Sequence, residues 1–380
     1  MPIKLLSISI ARSDFGRMLD FYEVLLNSTL YEIELIVGGA HFDQSLGSTI
    51  NDVKKEFKGK IHFLSDSSLN PGDASSLIIS DVYKILLEQK PDGLLILGDR
   101  FEMLAAAQAA LLAQIPIIHI GGGYITLGAF DNYIRNALSK LSHIHLVPSL
   151  NCADNLLKMN ESKSRVFICG APELDTFKKT EPLERNTFYG RVKLDPNKDF
   201  ILATFHPETL LDAKENLSFT KNCYDALINL DMQILITAPC ADPNHEVFLD
   251  LCLRLSEDKA DCSFVPNLGL INYISALKYC TLLLGNSSSG IIEAATTKTP
   301  VVNVGNRQKN REHTTNVIHS SFNVSDIKDS IKIASSKNFK EMCQSVKNPY
   351  GDGNFSTKAI EVLDSLSWPL SLLKNDDFIH

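Results

Sequence analysis

Short apolar runs rich in Val, Ile and Leu alternate along this chain with longer stretches whose apolar residues recur at helical spacing. In the first half, Lys4–Ser9, Glu32–Val37, Ile61–Leu64, Gly93–Leu97, Ile115–Ile120, Ile144–Val147 and Val166–Cys169 predict strands. Arg17–Leu26, Ser75–Gln89, Phe101–Gln114, Asn132–Leu141 and Ala153–Met159 predict the helices between them. Such alternation is the sequence form of βαβ units and a parallel sheet. A polar stretch from Phe177 to Lys198 interrupts the pattern and reads as a linker. The alternation then restarts, with strands at Phe200–Thr204, Gln233–Thr237, Ser263–Val265, Thr281–Leu284 and Val301–Val304 and helices near Leu217–Leu227, His245–Leu255, Ile271–Leu277 and Ile291–Thr296. The fold class is therefore α/β, with two Rossmann-like domains facing across a cleft, residues 1–175 and 176–380, and the option of a C-terminal helix returning to the first. The tail from Ser365 to His380, mixing Pro369 with charges, reads as a fraying end.

A length of 380 residues supports two domains rather than one. With 44% hydrophobic and 22% charged residues the composition is that of a soluble globular protein. A net charge of −8 argues against nucleic acid or an anionic membrane surface as partner, since both need a basic field. Any phosphate must be held locally. The eight cysteines form no C-x-x-C pair and sit mostly in apolar segments, which predicts reduced thiols and a cytoplasmic location. The N-terminus runs straight into a strand with no signal-peptide pattern, and the apolar stretch Leu104–Ile120 is broken by Gln108, Gln114 and Pro116. No H-E-x-x-H or His/Cys cluster indicates a metal, and no cofactor is expected.

Ligands of open α/β sheets bind beyond the carboxyl ends of strands, so the loops there carry the candidate chemistry. Leu284-Gly285-Asn286-Ser287-Ser288-Ser289-Gly290-Ile291-Ile292-Glu293 passes from a strand through hydroxyl residues and Gly into a helix. Free amides, hydroxyls and a helix dipole there suit a diphosphate, and Glu293 suits ribose hydroxyls; serines capping an ordinary helix is the plainer reading. Arg12 follows the first strand and can bind phosphate or lie solvated. Asp99 follows the strand Gly93–Leu97, as a catalytic carboxylate or as the N-cap of a box closed by Glu102. Gly121-Gly122-Gly123-Tyr124 leaves another strand through glycines that suit close approach of a ligand or a partner backbone. Thr126-Leu127-Gly128-Ala129-Phe130-Asp131 brings a second carboxylate to a helix start, and His206 in Phe205-His206-Pro207-Glu208-Thr209 can relay protons near neutral pH.

Taken in order, these loops resemble the hydrolysing UDP-N-acetylglucosamine 2-epimerases of sialic- and legionaminic-acid pathways over nearly the whole chain. The set includes Arg12-Ser13-Asp14-Phe15-Gly16, Gly39-Ala40-His41-Phe42-Asp43, Gly98-Asp99-Arg100-Phe101-Glu102, Ile134-Arg135, Gly170-Ala171-Pro172, His206-Pro207-Glu208-Thr209, Gly285 to Gly290 and Gly305-Asn306-Arg307-Gln308-Lys309. The resemblance implies a GT-B-like fold, a homodimer or homotetramer and a UDP-sugar substrate. It also implies that Arg12, Ser288, Ser289 and Arg307 hold the diphosphate and Glu293 the ribose. Asp14, His41, Glu102, Ser287 and Gly290 complete the binding set. Asp99, Asp131 and His206 become acid/base groups around the sugar. In that chemistry a base removes the carbon-2 proton, UDP leaves to give a glycal, and water adds with inversion at carbon 2. UDP and a free N-acetylmannosamine-type sugar result.

The sequence departs from that family where Gly121-Gly122-Gly123-Tyr124 replaces the usual His-Gly-Gly-Glu, Asn132 an acidic residue and Asn136 a His. One carboxylate is missing. Tyr124 is the candidate substitute, although a phenol with an ordinary pKa near 10 is a poor base at neutral pH. The alternatives are a GT-B glycosyltransferase or UDP-sugar hydrolase that does not epimerise, and a silent UDP-sugar-binding protein.

Overall fold

The computed structural model describes residues 2–43, 49–65, 70–126, 130–240 and 243–374. Leu127-Gly128-Ala129, in the loop read above as leading to Asp131, and the last six residues of the tail lie outside them. Two compact units form: Met1–Tyr124 with Asp131–Thr176 and Tyr350–His380, and Ile125–Phe130 with Phe177–Pro349.

The first unit's strands among the described residues are β1 (Ile3–Ser9), β2 (Tyr31–Val37), β3 (Ile61–Phe63), β4 (Gly93–Leu97), β5 (Ile117–Ile120), β6 (Ile144–Val147) and β7 (Val166–Ile168). They lie in the order β3-β2-β1-β4-β5-β6-β7, every pairing parallel. Alternate residues feed two cores: Leu5, Leu35, Leu95 and Ile118 on one face, Leu6, Ile36, Leu94 and Ile117 on the other. Burial on both faces is why these strands read as unbroken apolar runs. The second unit repeats the plan with β8 (Phe200–Thr204), β9 (Gln233–Ile236), β10 (Cys262–Phe264), β11 (Leu282–Gly285), β12 (Val301–Val304) and β13 (Val317–Ser320), ordered β10-β9-β8-β11-β12-β13 and again parallel. Strand order reverses between β1 and β4 in one sheet and between β8 and β11 in the other. Among the described residues no helix is long and apolar enough to cross a membrane.

Three sequence expectations change. The stretch read as a linker holds the helix Arg185–Val192, whose Phe188, Tyr189 and Val192 are buried against Phe200 and Leu202. Arg185 stacks 4.6 Å above the Tyr189 ring, so the polar residues coat an amphipathic helix instead of a solvated connection. A sixth strand, β13, was not anticipated; it is four residues long and pairs with β12 alone, too little apolar sequence to stand out.

The tail does not fray at residue 365. Trp368 and Leu370 pack on the first core, and Lys374 Nζ lies 2.8 Å from Glu161 Oε2. Glu161, 3% exposed, also meets Lys140 at 2.7 Å, His145 at 3.1 Å and Arg165 at 3.5 Å. Burial pushes its carboxyl up, but bonds from His145, Lys140 and Lys374 prevail and hold it down to about 2.

A carboxyl held below its ordinary 4.5 stabilises the fold above that pH, and the contribution drains away as pH falls towards 2. Glu161→Ala leaves the surrounding cations uncompensated and is expected to cost about 3–5 kcal/mol in urea unfolding at pH 7. The variant should also lose less stability than the parent between pH 4.5 and 2. Equal stability of the two proteins at pH 7 would contradict this account.

Candidate active site

In unit 1 the predicted groups stand at the carboxyl ends of β2, β1, β4 and β5, four neighbours in the sheet. Arg12 opens the helix Arg12–Asn27 and is exposed, its guanidinium 3.9 Å from Asp52. Asp14 is 7% exposed and accepts from the Ile10 and Ala11 amides at 3.3 and 3.1 Å, binding the start of its own helix. Burial pushes its carboxyl up, against the pull of Arg100 and Arg17. His41 is wholly buried, with Nε2 2.9 Å from Ser9 Oγ and Nδ1 2.8 Å from Thr49 Oγ1. Burial lowers this imidazole to about 4, so it is a neutral strut between β1 and the residue before the helix Ile50–Glu56, with both ring nitrogens engaged inside the protein. Glu102 accepts both Nε and Nη2 of Arg100, at 3.2 and 2.8 Å. The helix Phe101–Leu112 starts after Arg100 without a side-chain cap, so the capping box read for Asp99 and Glu102 is absent.

Asp99 instead ion-pairs with Arg135, a residue of the helix Asp131–Leu141 that is completely buried. The same guanidinium donates through Nη1 to the Tyr124 carbonyl at 2.9 Å and lies 5.9 Å from the Tyr124 ring, which also meets Tyr350 at 5.6 Å and packs on the cluster of Val147, Cys152 and Leu156. One buried cation thus ties the loops after β4 and β5 together, and Asp131 opens the helix that carries it. The glycines before Tyr124 have an internal reason. At Gly123, with φ of +81°, a Cβ would sit 2.1 Å from the Cys152 carbonyl oxygen. The backbone approached is the chain's own helix Leu150–Lys158, in place of the ligand or partner expected from sequence.

In unit 2 the loops after β8, β11 and β12 interlock. Asn286 is fully buried; its Oδ1 accepts the His206 amide at 2.7 Å and its Nδ2 donates to the His206 carbonyl at 2.8 Å. Its own carbonyl accepts Gln308 Nε2 at 3.1 Å and Arg307 Nη1 at 3.4 Å. Gly285 permits this crowding: at φ of +141° a Cβ there would lie 1.8 Å from the Thr204 oxygen. Ser287 and Ser288 are half-buried, Ser289 is buried, and the Ser289 hydroxyl bonds the phenol of Tyr273. The helix predicted from Ile291 to Thr296 is a single turn, Ser289–Ile292, because the chain continues in turns through Lys298. A single turn supplies a weaker dipole than the full helix expected from sequence, leaving the amides and hydroxyls of this loop as its main donors. Glu293 follows that turn; burial of the Tyr273 hydroxyl and then the charge of Glu293 push the phenol of this half-buried tyrosine up.

His206 is half-buried, and its Nδ1 accepts the Cys240 amide at 3.0 Å. A neutral ring accepting at Nδ1 carries its proton on Nε2. Burial and then the charge of Arg307 push this imidazole down to about 3. Arg135, Asn286, Glu208 and Tyr273 were not singled out as site residues from sequence. Arg135, Asn286 and Glu208 lie inside motifs that were, which is the signal that could have found them.

Two doubly wound parallel sheets, each with polar loops gathered where its strand order reverses, define a GT-B-like fold. The UDP-N-acetylglucosamine 2-epimerase family model matches residues 25–364, and the chain belongs to that family. It is 33% identical over 347 residues to the hydrolysing GDP/UDP-N,N'-diacetylbacillosamine 2-epimerase of Campylobacter jejuni, covering 89% of each chain. To the hydrolysing UDP-N,N'-diacetylbacillosamine 2-epimerase of Legionella pneumophila it is 31% identical over 371 residues, covering 96% of each. The crystal structure of UDP-GlcNAc 2-epimerase from Neisseria meningitidis bound to UDP-GlcNAc shares the fold, with a TM-score of 0.82 at 20% identity over 96% of this chain and 100% of that one.

The His206 environment predicts a ring that stays neutral, protonated at Nε2, from pH 5 to 8. Nitrogen-15 NMR of the imidazole checks this, and a midpoint near the ordinary 6.5 would show the ring to be solvated.

Proposed function

We propose that this protein is a hydrolysing 2-epimerase that converts a UDP-2-acetamido sugar to UDP and the free sugar inverted at carbon 2. Its preferred substrate is the 2,4-diacetamido-trideoxy form. The observation that carries this reading is that two relatives above 30% identity, matched over 89% and 96% of this chain, are named for hydrolysing 2-epimerisation of N,N'-diacetylbacillosamine nucleotides. The arrangement of polar groups supports it. The proton on carbon 2 is only weakly acidic, and the leaving diphosphate gathers negative charge, so the reaction needs carboxylates at the sugar and donors at the phosphates.

In this reading unit 2 holds UDP through Ser287, Ser288, Ser289, Gly290 and Arg307, with Glu293 on the ribose. His206 Nε2–H donates to charge developing on the departing diphosphate. Unit 1 supplies Asp99 and Asp131 for proton removal and water addition, and Arg12 for a phosphate oxygen. Asp99 is held in place by its ion pair with the buried Arg135. Tyr124, its ring packed between Tyr350 and Arg135, forms part of the wall, and the base is a carboxylate.

Incubation with UDP-N-acetylglucosamine and, separately, its 2,4-diacetamido relative in deuterated water, followed by NMR, tests this function. UDP release with a deuterated, inverted free sugar is expected, faster from the diacetamido substrate. Release without deuterium would replace epimerisation by hydrolysis or transfer, the reading that Tyr124 in place of a glutamate favours.

Asp99→Asn and Asp131→Asn should each reduce turnover at least ~10²-fold while calorimetric UDP affinity stays close to the parent's. Near-normal turnover in both would remove them from the chemistry. Arg307→Ala should weaken UDP by roughly 1.5–3 kcal/mol, and unchanged affinity would take Arg307 out of the site.

A further inference from the structure

Glu208 has no part in the chemistry above, yet it is a buried carboxylate two residues from His206, 2% exposed. Its Oε1 accepts two successive main-chain amides of the loop after β12, Asn306 at 2.6 Å and Arg307 at 3.0 Å. Its own backbone is gripped by the fully buried Asn216, which accepts the Glu208 amide and donates to the Glu208 carbonyl, both at 3.2 Å. The loop is shaped to receive the carboxylate. Gly305 has φ of +89°, and a Cβ there would lie 2.5 Å from Glu208 Oε1 and 2.5 Å from the Phe322 ring. Burial raises the Glu208 carboxyl, and the Asn306 and Arg307 amides act against that rise.

A buried carboxylate is costly to keep unless its partners need it. Two adjacent amides converging on one oxygen leave the Asn306–Arg307 peptide little rotational freedom. The side chain that leaves this fixed point is Arg307, whose guanidinium reaches back to the Asn286 carbonyl. We infer that Glu208 is a positioning residue: it fixes the backbone from which Arg307 addresses the diphosphate, and it affects nucleotide binding only through that arginine. This rests on the reading of unit 2 as the UDP site.

The test is a double-mutant cycle on the full chain, with UDP affinity from calorimetry for the parent, Glu208→Ala, Arg307→Ala and the double variant. Hydrogen exchange of the Asn306 and Arg307 amides is followed in parallel without ligand. Glu208→Ala should weaken UDP about tenfold or more in the parent and less than about twofold once Arg307 is alanine, and both amides should exchange faster. Should Glu208→Ala not fold, Glu208→Gln carries the same cycle with a smaller factor. Additive losses would overturn the proposal, because the carboxylate would then act on something other than Arg307. So would unchanged exchange of the two amides. A parent protein that binds no UDP would overturn the assignment of the nucleotide site, and the exchange experiment would still judge the Glu208 clamp.

Discussion

Both sheets are parallel and buried on both faces, and that constraint decides where polar groups can stand. Along β4 and β8 no residue is exposed, so chemistry cannot be mounted on strand interiors and moves to the loops beyond their carboxyl ends. Strand order reverses beside β1 and beside β8, and the chain places Arg12 and Asp99 at one such point, His206 and Asn286 at the other.

Loops that leave an apolar core side by side must satisfy their own backbones, and here they do so with buried side chains. Asn286 clamps His206, Glu208 holds the amides before and at Arg307, and Arg135 joins Asp99 to the Tyr124 carbonyl. Asp175 does the same for scaffolding, accepting the Phe355 and Ser356 amides at 2.7 Å each and so fastening the helix Phe355–Ser365 to the first unit. In each case removal of one partner leaves a buried polar group or charge unmatched, which is more costly than the bond's net worth. Rigidity of the site and stability of the fold therefore rest on the same kind of contact.

Three residues proposed from sequence for ligand contact, Asp14, His41 and Glu102, turn inward to the chain's own amides, hydroxyls and guanidinium. Their motifs are recognisable because the support they give is as demanding of residue type as ligand contact would be. The glycines at 123 and 285 teach the same lesson. Each admits a carbonyl of a neighbouring element so closely that no side chain fits, and neither needs a ligand to explain it.

The α/β class, the position of every described strand but β13, the loops that carry polar chemistry and the family were legible in the amino-acid order, because strand and helix periodicities and loop motifs are written in consecutive residues. Tertiary structure alone decided which polar groups are spent internally, that the supposed linker holds a helix, that the tail docks through Lys374, and that Arg135, Asn286 and Glu208 join loops far apart in sequence. The physical reason is separation along the chain. Arg135 meets Asp99 across 36 positions, Asn286 meets His206 across 80, and Glu208 meets Asn306 across 98, and partners so distant are chosen by packing, which no local pattern records.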